Sequence, residues 1–126
     1  MALQLFAIAL GATLGAWLRW GLSLWLNPRV AHFPLGTLTA NLVGGYLIGI
    51  AVAFFVARTD LPTAWRLFAI TGFLGGLTTF STFSAEVTEL LGAGAYGTGI
   101  ALAATHLLGS LALTAAGFAT YRHWLA

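Results

Sequence analysis

The stretch Thr71-Gly72-Phe73-Leu74-Gly75-Gly76-Leu77-Thr78-Thr79-Phe80-Ser81-Thr82-Phe83-Ser84-Ala85-Glu86 decides how this chain folds. Glycine costs a helix interior about 1 kcal/mol against Ala, and β-branched Thr is disfavoured there as well. Gly75-Gly76 followed by Thr78-Thr79 therefore predicts a break in the helix near Gly75 to Thr79. The residues on either side are apolar enough to lie in lipid. Non-helical backbone at membrane depth is tolerated only when buried in protein or lining a wet cavity. Carbonyls unwound at such a place form a ready cation site.

Composition supports the membrane reading. Of 126 residues, 60% are hydrophobic and 6% charged, with five Arg, no Lys, three acids and a mean hydropathy of +0.93. Soluble domains carry about 25% charged residues, which excludes a water-soluble monomer. Three breaks divide the chain by composition: Asn27 to Pro34, Arg58 to Thr63, and Gly92 to Gly97. They leave spans at 3–26, 35–57, 65–91 and 98–123, each at or above the roughly 20 apolar residues a crossing needs. The expected fold is an all-α membrane protein of four transmembrane helices, a single domain over 1–126 with the third helix broken. The first span lacks the basic n-region and cleavage site of a signal peptide, so it is expected to stay in the mature protein.

Five scattered Arg form no patch for nucleic acid. With no Cys there are no disulfides, thiolate metal sites or cysteine nucleophiles. Four spans put both termini on one side, where Arg58, Arg66 and Arg122 lie, against Arg29 and a snorkelling Arg19 on the other. So small a difference is compatible with insertion in both directions and pairing with an inverted copy, and equally with short loops that hold few charges. Gly11 and Gly15, Gly45 and Gly49, and Gly72 and Gly76 are each four apart, a spacing that lets helix backbones approach closely.

Polar residues inside spans are costly and mark function or tight pairing. Arg19 lies well inside span 1 beside Trp17 and Trp20; it either snorkels to the interface or anchors the mouth of an anion path. In span 2, Thr37 and Asn41 share a face and Thr39 lies on another; Asn41 serves either as interhelical glue or as an amide donor to a path. In span 3, Phe80 and Phe83 lie on one side, with the hydroxyls of Ser81, Thr82 and Ser84 around them. Ring edges carry positive potential, so edges and hydroxyls together favour a small anion without a full charge that would hold it too tightly to leave. His106, Ser110 and Thr114 make one polar stripe on span 4, read as a second wall. Glu86 and Glu89 end span 3; an acid beside an anion path makes sense only if Glu86 accepts from hydroxyls or pairs with an Arg.

With these motifs in place, the chain resembles the small bacterial fluoride channels known as Fluc or CrcB. The resemblance rests on residues 11–20 (GATLGAWLRW), 36–44 (GTLTANLVG), 72–86 (GFLGGLTTFSTFSAE) and 106–110 (HLLGS). It implies a dual-topology, antiparallel homodimer in the bacterial inner membrane, with lipid around it, two fluoride pores and no other protein partner. It implies that Phe80 and Phe83 coordinate fluoride by their ring edges, that Asn41 turns an amide toward the path, and that Ser81, Thr82 and Ser84 form a hydroxyl track. Thr39, Glu86 and Arg19 correspond to polar positions toward the vestibules, and His106, Ser110 and Thr114 to the fourth-helix lining. A structural sodium ion is expected at the dimer centre on the backbone carbonyls of Gly75 and Thr78.

Three other classes compete with this reading. A small multidrug exporter needs a membrane carboxylate in its first helix, and span 1 has none. A holin-like assembly protein would use the polar stripe only as glue. An enzyme would need a metal cluster, nucleophile triad or phosphate loop, and the sequence carries none.

Overall fold

The computed structural model describes the whole chain, Met1–Ala126. Four helical segments are long and apolar enough to cross a membrane: Ala2–Arg29, Leu35–Ala57, Thr63–Gly92 and Tyr96–Leu125. The first is helix α1 (Ala2–Leu26) with a short 3-10 turn at Asn27–Arg29, and the second is α2 (Leu35–Ala57). The third segment is composite. It runs as α3 (Thr63–Arg66), a π-helical stretch Leu67–Leu74, one turn of α4 (Gly75–Leu77), and after a gap α5 (Phe80–Gly92). The fourth is α6 (Tyr96–Thr120), closing in π-helical turns at Tyr121–Leu125.

Local chemistry explains the loops. Pro34 starts α2 and has no side chain to cap it, so the amide of Gly36 donates instead to Asn27 Oδ1 at 2.7 Å, tying the start of α2 back to the end of α1. At the connection to α6, α5 stops in a Schellman motif. Gly94 N donates to the Leu91 carbonyl and Ala95 N to that of Leu90, with Gly94 at φ +80°, a conformation glycine takes without steric cost. In the loop between α2 and α3, Arg58 and Asp60 form an exposed ion pair at 3.0 Å. Their hydrogen bond, aided by charge attraction, holds the Asp60 carboxyl below its usual range and the Arg58 guanidinium above its own.

The glycine pairs set the packing. The first half of the third segment lies on α1, where a Cβ at Gly15 would overlap the Phe73 carbonyl and one at Gly72 would sit 2.8 Å from the Ile8 carbonyl oxygen. Likewise α2 lies on α6, with Gly49 against the Thr114 carbonyl and Gly117 against that of Tyr46. Past the gap, α5 folds against α6 rather than α1. The gap is thus the point where the third segment crosses from one helix pair to the other. A small core of Ala40, Leu74 and Leu77 lies beside it.

Only 17 of 126 residues are buried, and large apolar side chains such as Phe6, Trp17, Ile100 and Leu108 point outward. Small residues fill the inside and large ones face out. That suits a lipid surround, which removes the hydrophobic drive to bury Leu and leaves close packing as the cohesive force.

Candidate functional site

The gap is built by two threonines. Thr78 ends α4: its amide and its hydroxyl both donate to the Leu74 carbonyl, at 3.0 and 2.8 Å. Thr78 and Thr79 are then extended, at ψ 155° and ψ 126°. Thr79 restarts the chain as the N-cap of α5, its hydroxyl accepting from Thr82 N at 3.2 Å. That use of Thr as an N-cap is a common helix-start signal. It was legible in Thr79-Phe80-Ser81-Thr82 alongside the poor helix propensity from which the break was predicted.

Extended backbone at membrane depth needs partners, and α2 supplies them. Asn41 Oδ1 accepts from Thr79 N at 2.8 Å while its Nδ2 donates to the Thr79 carbonyl at 2.9 Å. One amide side chain therefore takes both backbone groups of the residue at the gap, as a neighbouring strand would. Asn41 Nδ2 also lies 3.0 Å from His106 Nδ1. Of the two sequence readings of Asn41, glue is realised within this chain. Asn41 also borders the cleft described next.

A cleft of about 590 Å³ opens at the gap, lined by residues of α2, α4, α5 and α6 that include Asn41, Gly75, Thr78, Phe80, Phe83, His106 and Ser110. Phe80 and Phe83 meet edge to face, centroids 5.5 Å apart at 76°, and Phe83 also leans on the His106 ring at 4.4 Å. Phe80 is 78% exposed, so its ring stands out from the chain at the cleft mouth. Ser81 and Ser84 lie on the other side of Phe80, on a shallow face shared with Thr88 and Glu89.

The remaining candidates are distributed around this cleft. Thr114 sits a turn beyond Ser110 with its hydroxyl donating to the Gly45 carbonyl at 2.8 Å, so it joins α6 to α2 without lining the cleft. Thr82 belongs to the first turn of α5 and Thr39 is half-buried on α2, neither among the cleft residues. Arg19 Nε donates to the Gly76 carbonyl at 3.1 Å, within the α4 turn. Glu86 accepts from the buried hydroxyl of Thr37 at 2.9 Å, which supplies the hydroxyl partner its position demands. Thr37, on the face it shares with Asn41, and Thr79, in the break, join the expected site residues through these bonds.

No three His, Cys, Asp or Glu side chains gather anywhere in the chain. The gap offers backbone oxygen instead. The Thr78 carbonyl receives no hydrogen bond, and beside it a Cβ built on Gly75 would meet only the Ile70 carbonyl oxygen, at 3.6 Å, leaving Gly75 open toward the cleft. A neutral carbonyl oxygen without a donor, as at Thr78, is the kind of ligand a hard cation takes.

Four apolar crossings, with a broken helix and a largely apolar cleft carrying a few polar groups beside the break, define a multi-pass membrane protein. Residues 6–118 match the family described as CrcB-like protein, Camphor Resistance (CrcB), and the chain belongs to that family. It is 59% identical over all 126 residues to a protein of Burkholderia lata, 58% to one of Burkholderia cenocepacia and 56% to one of Burkholderia thailandensis, covering 98% of each. Each of those relatives is named as a fluoride-specific ion channel, a transport protein and not an enzyme. With its four apolar crossings, the chain is an inner-membrane protein.

Proposed function

We propose that this protein is a fluoride-selective channel that lets cytoplasmic fluoride leave the cell passively and so limits its toxicity. The observation that carries the reading is full-length similarity to proteins named as fluoride-specific channels. The cleft chemistry agrees with it. Fluoride enters as its neutral acid from acidic surroundings, ionises in the cytoplasm and is trapped there. An open path then releases it down the membrane potential, worth about 2.3 kcal/mol per charge per 100 mV.

The working form is an antiparallel homodimer with two pores. A lone chain would turn Asn41, Thr79 and Ser110 toward lipid through an open cleft, which is costly. A second, inverted copy covers that face and brings its own Phe80 to it. The ring edges of Phe80 and Phe83 and the hydroxyls of Ser81, Thr82, Ser84 and Ser110 replace the water shell of fluoride, and Asn41 and His106 border the same path. Thr114 joins α6 to α2 behind the cleft, while Glu86 and Arg19 tie α5 and the α4 turn to their neighbours beside it. The carbonyls of Gly75 and Thr78 would hold a sodium ion between the two copies, its role being to give the carbonyl oxygen left without a donor at the break a partner and so fix the backbone there.

Fluoride efflux from liposomes, with chloride as control, tests the reading. The Phe80→Ile and Phe83→Ile variants are expected to lose more than tenfold of the fluoride flux, roughly 1.4 kcal/mol or more in barrier, while still forming dimers. Chloride flux equal to fluoride flux in the unmodified protein would sink the proposal.

A further inference from the structure

His106 is nearly fully buried, at 3% exposure, and its two ring nitrogens have opposite circumstances. Nδ1 lies 3.0 Å from Asn41 Nδ2, whereas Nε2 is buried with no partner. The orientation of the Asn41 amide is not free. A backbone N–H meets only an acceptor, so the atom 2.8 Å from Thr79 N is Oδ1 and the other terminus is the NH2 group, which the Thr79 carbonyl at 2.9 Å accepts from. That NH2 has one hydrogen left, directed at His106. An imidazole nitrogen facing a donor must carry a lone pair, which leaves the single ring proton on Nε2.

We propose that His106 is a positioning residue: its Nδ1 lone pair anchors the Asn41 amide in the orientation that holds the Thr79 backbone, with the imidazole neutral and protonated on Nε2. The chain of contacts runs from α6 through α2 to the gap, over 65 and then 38 residues of sequence separation. The neutral tautomer with its proton on Nδ1, and the imidazolium, both set donor against donor. Either would release the amide to turn away from Thr79. The groups facing His106 are Asn41 from α2 and Phe83 from α5, with Thr37 and Glu86 one turn along those helices; Glu86 is the only ionisable one among them. The acid limb of any His106-dependent flux therefore has to be read with Glu86 in place. The role depends on the channel reading only for its flux measurement.

The test is the ¹⁵N spectrum of His106 in the full-length protein in lipid, together with hydrogen exchange of the Thr79 amide. Unmodified protein is expected to show a bare Nδ1 and a protonated Nε2. The variant Asn41→Asp keeps an acceptor for Thr79 N but has no NH2, so the His106 proton is expected to appear on Nδ1. His106→Leu removes the acceptor and leaves an amide hydrogen unpaired, and Thr79 exchange is expected to quicken by about tenfold or more. His106→Asn, with an acceptor oxygen near the Nδ1 position, is expected to restore protection and fluoride flux that His106→Leu loses. Lowering the pH through the His106 titration is expected to reduce the protection of Thr79, measured relative to the intrinsic exchange rate at each pH, in the unmodified protein and not in His106→Asn. A protonated Nδ1 in the unmodified protein, a tautomer indifferent to Asn41→Asp, or Thr79 protection unchanged in His106→Leu would each overturn the proposal. If His106→Leu fails to fold, the tautomer measurements on the unmodified and Asn41→Asp proteins still decide it. Absence of fluoride flux from unmodified protein would instead count against the channel, leaving the tautomer measurement to stand by itself.

Discussion

At the scale of single residues, the gap is held by side chains doing the work of missing helix hydrogen bonds. Thr79 caps α5, Asn41 takes the Thr79 backbone, and Arg19 takes the Gly76 carbonyl. Thr37 and Glu86 form a separate buried link between α2 and α5 one turn away. Removing the hydroxyl should be felt, because Glu86 Oε1 already has no partner and Oε2 would lose its own. Thr37→Val is expected to cost about 1.5–3 kcal/mol of stability, the range for a hydrogen bond to a charged group. Thr37→Ser should recover most of it, and denaturant titration in detergent would separate the two. An equal loss in both variants would mean that the methyl packing, not the hydroxyl, matters.

At the scale of elements, the glycine contacts set how far each helix slides along its neighbour. Severity at these positions should follow what a methyl group would meet. A Cβ at Gly45 falls 3.2 Å from the Ser110 carbonyl oxygen, whereas at Gly49 it would overlap the backbone of Thr114. Gly45→Ala is therefore expected to be the milder change and Gly49→Ala to cost about 1–3 kcal/mol, as overpacking does. Thermal unfolding with a folded-state probe would rank them. Gly75→Ala leaves the chain itself unstrained at 3.6 Å, so any loss of function there would be assigned to what binds in the cleft. The break itself was readable from Gly75-Gly76 and the threonine pair, because helix propensity is a local property. The π-helical stretch Leu67–Leu74 before it was not, since no residue pattern there departs from an ordinary apolar helix.

At the scale of the whole molecule, the proposed inverted pair would cover the open cleft and the exposed Phe80, and the scarce charges bear on its orientation. If both orientations are needed, a chain forced into one of them should fail alone. Variants with two added Arg in the Asn27 to Pro34 loop, or two added after Trp124, are each expected to lose more than tenfold of fluoride resistance when expressed singly. Coexpression should restore it. Full function from either variant by itself would argue for a parallel assembly.

What the sequence by itself determined is the solvent and the layout: eight charged residues in 126 put the chain in lipid, three composition breaks separate four crossings, and Gly and Thr at 75–79 interrupt the third. These follow from hydropathy and backbone propensity, which act over one helix at a time. What only the tertiary structure decided is who meets whom. Arg19 lies 57 residues from Gly76, Thr37 49 from Glu86, and Asn41 38 from Thr79. Those pairings depend on the axial register in which glycine faces lock α1 on the third segment and α2 on α6. Register is a property of two surfaces in contact, and no single helix carries it.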